Sequence, residues 1–200
     1  MASTSSPYGL RAVQKLGSEN FNGGGIRVYP LNANSATGFF FGDLVNVAQG
    51  VPSICTATPT TTFSASATPT GVFVGCSYDS NGFRFNDSFL PANAYTGGAR
   101  NIQIAIMEDP LAVFQIQASG SVPATAIGRN AGLTNYGAGS VTTKNSGIQL
   151  NASAVGSTST LAMRIVDIPT TPSGAPGDAY TDCLCVFNAG VHGYFNPATS

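Results

Sequence analysis

The sequence predicts an all-β fold, an antiparallel β-barrel or sandwich, on three observations. Short apolar segments rich in Val, Ile, Phe and Tyr alternate with turn clusters roughly every ten residues, a spacing typical of sandwiches and barrels. Apolar residues do not recur at helical spacing over three turns. The chain also contains 24 Gly and 12 Pro, which interrupt long helices.

The predicted strands are short and are bounded by turn residues. They cover residues 26–29, 39–47, 71–78, 83–86, 102–107, 113–118, 141–143, 147–150, 161–168 and 183–187. A single helical turn is predicted near residues 125–129.

One hairpin is indicated especially clearly, between segments 71–78 and 83–86. Asn81 and Gly82 lie in its turn, and an Asn-Gly pair favours a tight hairpin. Segment 71–78 is apolar at successive positions, which predicts burial on both faces. Segment 83–86 alternates between apolar and polar residues and is therefore predicted as a half-buried return strand.

The chain divides into an arm and one domain. Residues 1–22 lack periodicity and are predicted to form an extended N-terminal arm, followed by a single β domain over residues 23–200. Residues 53–70 form a Thr/Ser/Pro-rich insert, predicted as a strand hairpin or an exposed loop with Phe63 as its large anchor. Residues 169–178 form a second Pro-rich connection.

Composition excludes several classes of protein. Charged residues make up 8% of the chain, against a usual value of about 25%, and the net charge is -1. The basic residues are scattered, so nucleic acid is not a predicted partner. Apolar runs are too short to span a bilayer, so no membrane partner is predicted either. A surface with so few charges repels its own copies weakly and suits a permanent assembly.

Candidate catalytic residues are few. His192 is the only histidine, no Gly-x-Ser-x-Gly motif accompanies it, and it is interpreted as a surface or strand-end residue. Glu108 and Asp109 are adjacent and point to opposite faces of a strand. Asp178 and Asp182 are four residues apart at a loop-to-strand junction. A hydrolase that uses His192, or Asp178 with Asp182, is one of three hypotheses about the function of this chain. We predict that the chain is not an enzyme and needs no cofactor.

The four cysteines are predicted to be thiols. Residues 1–8 lack the basic and apolar regions of a secretory signal, which predicts synthesis in a reducing cytoplasm. Cys183 and Cys185 lie on one face of a strand, but structural zinc usually takes two such pairs, so packing is the favoured interpretation. A disulfide between Cys55 and Cys76 stays open as an alternative.

Five sequence blocks, in this order, resemble a known family. They are SPYGLRAV at 6–13, FGDLV at 41–45, GVFVGCSY at 71–78, DP with VFQIQ at 109–117, and GDAY at 177–180. Together they resemble head decoration (cement) proteins of tailed bacteriophages, of the type found in aquatic phages. The chain departs from shorter members of that family through the insert at 53–70.

The resemblance implies a structural protein without catalytic activity or cofactor. Such a protein is made in the host cytoplasm and added to the outer surface of the capsid, commonly as a homotrimer at three-fold positions, with the major capsid protein as its partner. We therefore expect the arm to contact the capsid, and the candidate contact residues are Tyr8, Leu10, Arg11, Val13, Leu16 and Phe21. Packing of these residues on their own domain is the alternative.

A second hypothesis is a receptor- or glycan-binding surface module of the head-fibre type. It is suggested by the Thr/Ser/Asn-rich insert and by Tyr95, Tyr136 and Tyr194 as exposed aromatic residues. The chain contains no Trp, the ring on which sugars commonly stack, and this counts against the hypothesis.

Overall fold

The computed structural model describes residues 4–17, 25–32, 34–56, 68–170, 174–188 and 190–195. Across these residues the chain forms β-strands and one short 3₁₀ turn at Ala124–Ala126, with no α-helix, which confirms the predicted all-β class. The strands are β1 Arg11–Lys15, β2 Ile26–Leu31, β3 Phe39–Phe40, β4 Leu44–Ala48, β5 Val51–Ile54, β6 Gly71–Ser80, β7 Phe83–Asp87, β8 Phe89–Leu90, β9 Arg100–Met107, β10 Ala112–Gln117, β11 Asn130–Thr134, β12 Gln149–Gly156, β13 Met163–Asp167 and β14 Asp182–Phe187.

The strands form two larger antiparallel sheets in a sandwich-like arrangement. Sheet A has the order β1-β10-β14-β13-β11-β12. Sheet B has the order β2-β9-β6-β4-β5, and β7 pairs with β6 off this path. Strands β3 and β8 form a separate two-stranded ladder. Within the described ranges the sheets do not close into a barrel, so sandwich is the better of the two predicted architectures.

The centre of sheet B is buried on both faces, because the apolar core has two parts. Val72 and Leu44 belong to the larger cluster, which includes the interior of sheet A. Their neighbours Phe73 and Val45 belong to a second cluster on the opposite face of sheet B. The prediction that segment 71–78 is buried on both sides is therefore confirmed at its first residues.

The predicted hairpin is present, but its second strand is exposed. Asn81 and Gly82 have φ values of 50° and 80°, as a type I′ turn requires. The prediction that residues 83–86 form a half-buried strand is wrong, since Phe83 is 70% exposed and Phe85 is 43% exposed. The physical reason is that β7 pairs only with β6 and has no described strand on its other side.

Three local predictions need correction. Residues 141–143 form a turn rather than a strand. Strand β11 was not predicted, because its Asn and Gly residues have low β propensity. It forms a strand because its backbone pairs with both β13 and β12. The insert begins inside strand β5, which tolerates Pro52 because it is an edge strand. Residues 57–67, including Phe63, lie outside the described residues.

Where the structure describes it, the predicted N-terminal arm is part of the domain. Strand β1 pairs with β10 of the same chain, at the edge of sheet A. Leu10 is fully buried in the larger cluster, and its amide donates to the Gly42 carbonyl at 3.0 Å. The segment is extended, as expected, but it packs on its own domain instead of projecting from it, because Leu10 and β1 complete the core and the sheet.

Candidate docking surface

A groove opens where edge strand β1 of sheet A faces edge strand β2 of sheet B. Its cavity has a volume of about 530 Å³ and lies between the two sheets. The apolar part of the lining includes Val13, Ile26, Phe41 and Val74. Val13 and Ile26 are 40% and 46% exposed, and Val28 next to the groove is 54% exposed. An exposed apolar surface on paired strands is a candidate for an interaction site.

The apolar surface continues along the face of sheet B that packs on the larger cluster, where Val74 contacts it. A second cavity of about 570 Å³ shares Val74 with the groove and adds Val28 and Ala105. Its far side is polar, with Ser77 and Gln103 among the lining residues. The two cavities therefore form one surface, apolar at the groove and increasingly polar away from it. We call this surface the β1–β2 groove.

The other end of the β1–β2 groove is charged. A cavity of about 390 Å³ shares Ile26 with the groove and is lined by Arg27, Glu108, Asp109 and Tyr194. Arg27 Nε lies 3.5 Å from Glu108 Oε2, and the Tyr194 hydroxyl donates to the same carboxylate. Opposite charges are thus paired at this end, which leaves little net field around the apolar part.

A second ion pair ties β1 to this charged end. Lys15 Nζ lies 2.8 Å from Asp109 Oδ2, and the Leu111 amide donates to Asp109 Oδ1 at 2.9 Å. Partial burial works to raise the pKa of Asp109, but the hydrogen bonds from Lys15 and Leu111 outweigh it and hold the pKa below its ordinary value. Asp109 is therefore ionised at neutral pH and keeps Lys15 in place.

Partial desolvation also changes the acidity of the Tyr194 hydroxyl group. Desolvation, followed by the hydrogen bond to Glu108, raises the pKa of Tyr194 well above its ordinary value. The hydroxyl group therefore stays protonated and acts as a donor. Across this end of the groove, ion pairs and hydrogen bonds link the polar side chains to one another.

Two of the predicted contact residues line the groove. Arg11 and Val13 are both part of its wall. Val13 is the extra residue of a β-bulge between Ala12 and Gln14, and a bulge redirects its side chain relative to a regular strand. Leu16, at the end of β1, is exposed, while its amide donates to the Leu111 carbonyl at 2.8 Å.

Tyr8 supports the groove from the side. Its hydroxyl donates to Asp182 Oδ1 at 2.8 Å, and the Arg11 guanidinium lies 4.7 Å from the centre of its ring. Burial, then the hydrogen bond to Asp182, raises the pKa of Tyr8. Tyr8 therefore orients Arg11 at the groove wall.

The remaining predicted contact residues do not reach this surface. Leu10 was expected to face a partner, but it is fully buried in the core, because it fills the space between the two sheets. Phe21 lies outside the described residues. Ile26 and Val28 were missed: their alternation with Arg27 signalled a two-faced strand but not which face meets solvent.

The three tyrosines suggested for a glycan-binding module are distributed over the fold. Tyr95 lies in the turn before β9, with the Arg100 guanidinium 4.5 Å from its ring centre. Tyr136 follows β11 and is partly buried, its hydroxyl donating to the Leu133 carbonyl at 3.0 Å. Tyr194 is exposed and belongs to the charged end of the β1–β2 groove.

The interpretation of His192 as a surface or strand-end residue is wrong, since it is fully buried. Its Nδ1 accepts from the Tyr194 amide at 3.3 Å, and its ring packs edge-on against Phe187 at 5.1 Å. Burial lowers the pKa of His192 to about 4, so it is neutral at physiological pH.

Asp178 and Asp182 have separate roles: Asp178 accepts from the Ala175 amide, whereas Asp182 accepts from the Tyr8 hydroxyl.

All four cysteines are free and buried, as the thiol prediction requires. Cys55 and Cys76 belong to the two different core clusters, on opposite faces of sheet B, so the alternative of a disulfide between them is not realised. Burial raises the pKa of both thiols to about 12. Within the described ranges, no group of three or more His, Cys, Asp or Glu side chains could hold a metal ion.

Comparison of the chain with protein-family models, with curated proteins and with solved structures finds no match. In the part of the chain that the structure describes, no helix has the length and apolar character needed to cross a membrane.

Proposed function

We propose that this chain is a capsid decoration (cement) protein that binds the outer surface of a bacteriophage head through the β1–β2 groove. Its partner is the major capsid protein, and its contribution is to stabilise the shell without catalysis. One observation carries the proposal: four of the five sequence blocks that resemble the cement family supply the walls of this one surface. Their contributions are Val13 from block 6–13, Phe41 from 41–45, Val74 from 71–78, and Asp109 and Gln115 from 109–117.

The surface suits attachment to a rigid neighbour. Val13 and Ile26 are exposed on strands whose backbones are already paired, so little conformational entropy is lost when they are covered. The pairing of Lys15 with Asp109 and of Arg27 with Glu108 leaves the rim nearly neutral. Contact is therefore made through apolar side chains rather than by strand addition at β1, because the bulge at Val13 interrupts the free edge of that strand.

A single groove makes a small contact, so tight attachment requires several copies to bind together. As a homotrimer, which the resemblance implies, three grooves would engage the shell at once. The effective concentration of the second and third grooves then makes the attachment much tighter than one contact alone. The low net charge of -1 also permits close packing of neighbouring copies.

The experiment is rebinding of purified protein to phage heads that lack it. Val13→Asp is expected to lower the affinity about tenfold or more, because a carboxylate would have to be buried in the apolar contact. Val141→Asp is the matched control, since Val141 is 68% exposed and lies outside the groove. Equal binding by both variants would contradict the proposed docking surface, and failure of the unaltered protein to bind heads would contradict the proposed function.

One observation favours the second candidate, a glycan-binding module. At the charged end, the exposed Tyr194 ring stands beside Glu108 and Arg27 around a cavity of about 390 Å³. An aromatic face next to a carboxylate and a guanidinium can hold a sugar. Tyr194→Ala should then reduce adsorption to host cells; unchanged adsorption would remove this candidate.

A further inference from the structure

Most longer edge strands of this fold carry a feature that discourages pairing with another chain. Strand β2 contains Pro30 and β5 contains Pro52, each of which lacks an amide donor. Strand β1 has its bulge at Val13, and the pairing of β12 with β11 is interrupted by a register shift. These features protect four edges of the two sheets.

Strand β7 has none of them. It is a regular five-residue strand that pairs with β6 from Ser80↔Phe83 to Cys76↔Asp87 without a shift. In the two-residue turn, Ser80 and Phe83 form a hydrogen-bonded pair, so the backbone groups of Arg84 and Asn86 point away from β6. These groups bond to no described residue, and residues 83–86 are exposed.

The two faces of β7 differ sharply. One face is aromatic: Phe83 and Phe85 are exposed, and the ring of Phe85 stacks on Tyr78 with 5.5 Å between centroids. On the other face Arg84 bonds Asp79 Oδ1 at 3.0 Å and Ser77 Oγ at 2.7 Å. Because Arg84 is held by its own hairpin, it does not guard the free edge as an unpaired charge would.

We propose that β7 pairs with β7 of a second copy, antiparallel, with Phe85 facing Phe85 on the two-fold axis. In this register Arg84 of each copy lies opposite Asn86 of the other. The backbone groups that point outward then bond one another, which gives four hydrogen bonds. The aromatic faces of the two hairpins also lie on the same side, so the two Phe85 rings face each other, and Phe83 of each copy lies opposite Asp87 of the other and diagonal to its Phe85.

Charge selects this register over the nearest alternative. Shifting one strand by two residues toward the turn keeps the aromatic faces together but places Arg84 opposite Arg84, which is unfavourable. A shift by one residue turns the aromatic face of one copy to the polar face of the other. The strand is therefore complementary to itself in one arrangement, which is why a second copy is the proposed occupant rather than an unrelated peptide.

The contact is small, and its strength should be modest. Four phenylalanine side chains and a five-residue strand pair bury less than the roughly 1,000 Å² of a stable interface. Copies held at high local concentration would be joined by it. If the proposed function is correct, this two-fold contact would link neighbouring molecules on a shell, but the pairing itself needs no shell.

Cysteine cross-linking in free solution tests the pairing and its register. In the Phe85→Cys variant the two introduced thiols face each other across the axis, with Cα atoms about 4.5 Å apart, a distance that a disulfide bridges. In the matched Phe83→Cys variant they are four residues out of register, about 13 Å apart, and cannot be joined. The native cysteines are all buried and do not interfere.

Under mild oxidation we expect at least about tenfold more disulfide-linked dimer from Phe85→Cys than from Phe83→Cys. Equal cross-linking, or none from either variant, would overturn the proposal. Because no capsid is present, this outcome is independent of whether the protein binds heads.

A second pair of variants tests the backbone hydrogen bonds. Asn86→Pro removes an outward amide while leaving the β6–β7 ladder intact, whereas Asn86→Ala removes only the side chain. Sedimentation equilibrium at high concentration should show at least a fivefold loss of self-association for Asn86→Pro and little change for Asn86→Ala. If both variants are folded by circular dichroism and associate equally, β7 is not the contact. If capsid peptides are added and mixed complexes exceed self-dimers, the free edge of β7 binds a different partner.

Discussion

The buried carboxyl of Asp43 should make the pH dependence of stability unusual. Asp43 is fully buried; the Ser146 hydroxyl donates to its Oδ1 at 2.5 Å and the Phe40 amide to its Oδ2 at 2.8 Å. Burial raises the pKa of Asp43 to about 6, against an ordinary value of 3.8, although both hydrogen bonds oppose the change. The folded protein therefore binds this proton more tightly than the unfolded chain does.

The sign and size follow from that difference. A raised pKa in the folded state means that the contribution of Asp43 to stability is complete below about pH 4 and is lost as the pH rises through about 6. A shift of about two pH units corresponds to about 3 kcal/mol in the free energy of unfolding. Taken alone, Asp43 makes the protein less stable as the pH rises across this range.

His192 acts in the opposite direction over nearly the same range. Its pKa is lowered by burial to about 4, against an ordinary 6.5, so unfolding takes up a proton between these values. The contribution of His192 to the free energy of unfolding therefore rises by about 3 kcal/mol between pH 4 and 6.5, because the histidine of the unfolded chain loses its proton over this range. In the unaltered protein the two effects nearly cancel, which predicts an almost flat profile between pH 4 and 6.5.

The perturbation that separates them is Asp43→Asn, which imitates the protonated acid. Urea unfolding at several pH values between 4 and 6.5 should show stability that rises with pH by about 3 kcal/mol, because only the His192 effect remains. The matched variant His192→Phe should show the reverse slope. The slope is the measurement that matters, because either substitution also changes the absolute stability. A profile for Asp43→Asn as flat as that of the unaltered protein would show that Asp43 does not oppose His192 in this pH range.

Three further predictions concern the buried core. Removing residues 2–16 should lower the free energy of unfolding in urea by more than about 3 kcal/mol, because fully buried Leu10 and strand β1 are lost; an unchanged midpoint would contradict their place in the core. Gly42→Ala should destabilise more than Gly50→Ala in thermal unfolding, because both have positive φ but only the Gly42 Cβ would lie 2.7 Å from the Leu10 nitrogen; equal losses would contradict this close approach. The four buried thiols should react with a thiol reagent only on unfolding, and rapid labelling of the native protein would contradict their burial.

Local sequence signals predicted those parts of the fold whose cause is local. The positive φ values that Asn81 and Gly82 tolerate define the β6–β7 turn, and neither depends on distant residues. The apolar run that begins strand β6 required burial on both faces, and Val72 and Phe73 provide it. Each of these predictions rests on a property of a few adjacent residues.

Distant pairing could not be predicted in the same way. Strand β1 pairs with β10 about a hundred residues later, and no local pattern in residues 11–15 identifies β10 as its partner. The same limitation explains why Leu10 was expected on the surface. The alternation of Ile26 and Val28 with Arg27 is equally compatible with either face being buried, so the groove became visible only when both sheets were in place.

Attachment to a shell through the β1–β2 groove can be observed in a residue-level cryo-EM reconstruction of decorated heads. We expect density for the chain outside the shell, with Val13 and Ile26 covered by the major capsid protein. Heads that lack the chain on their outer surface, or a bound chain whose groove faces solvent, would contradict it.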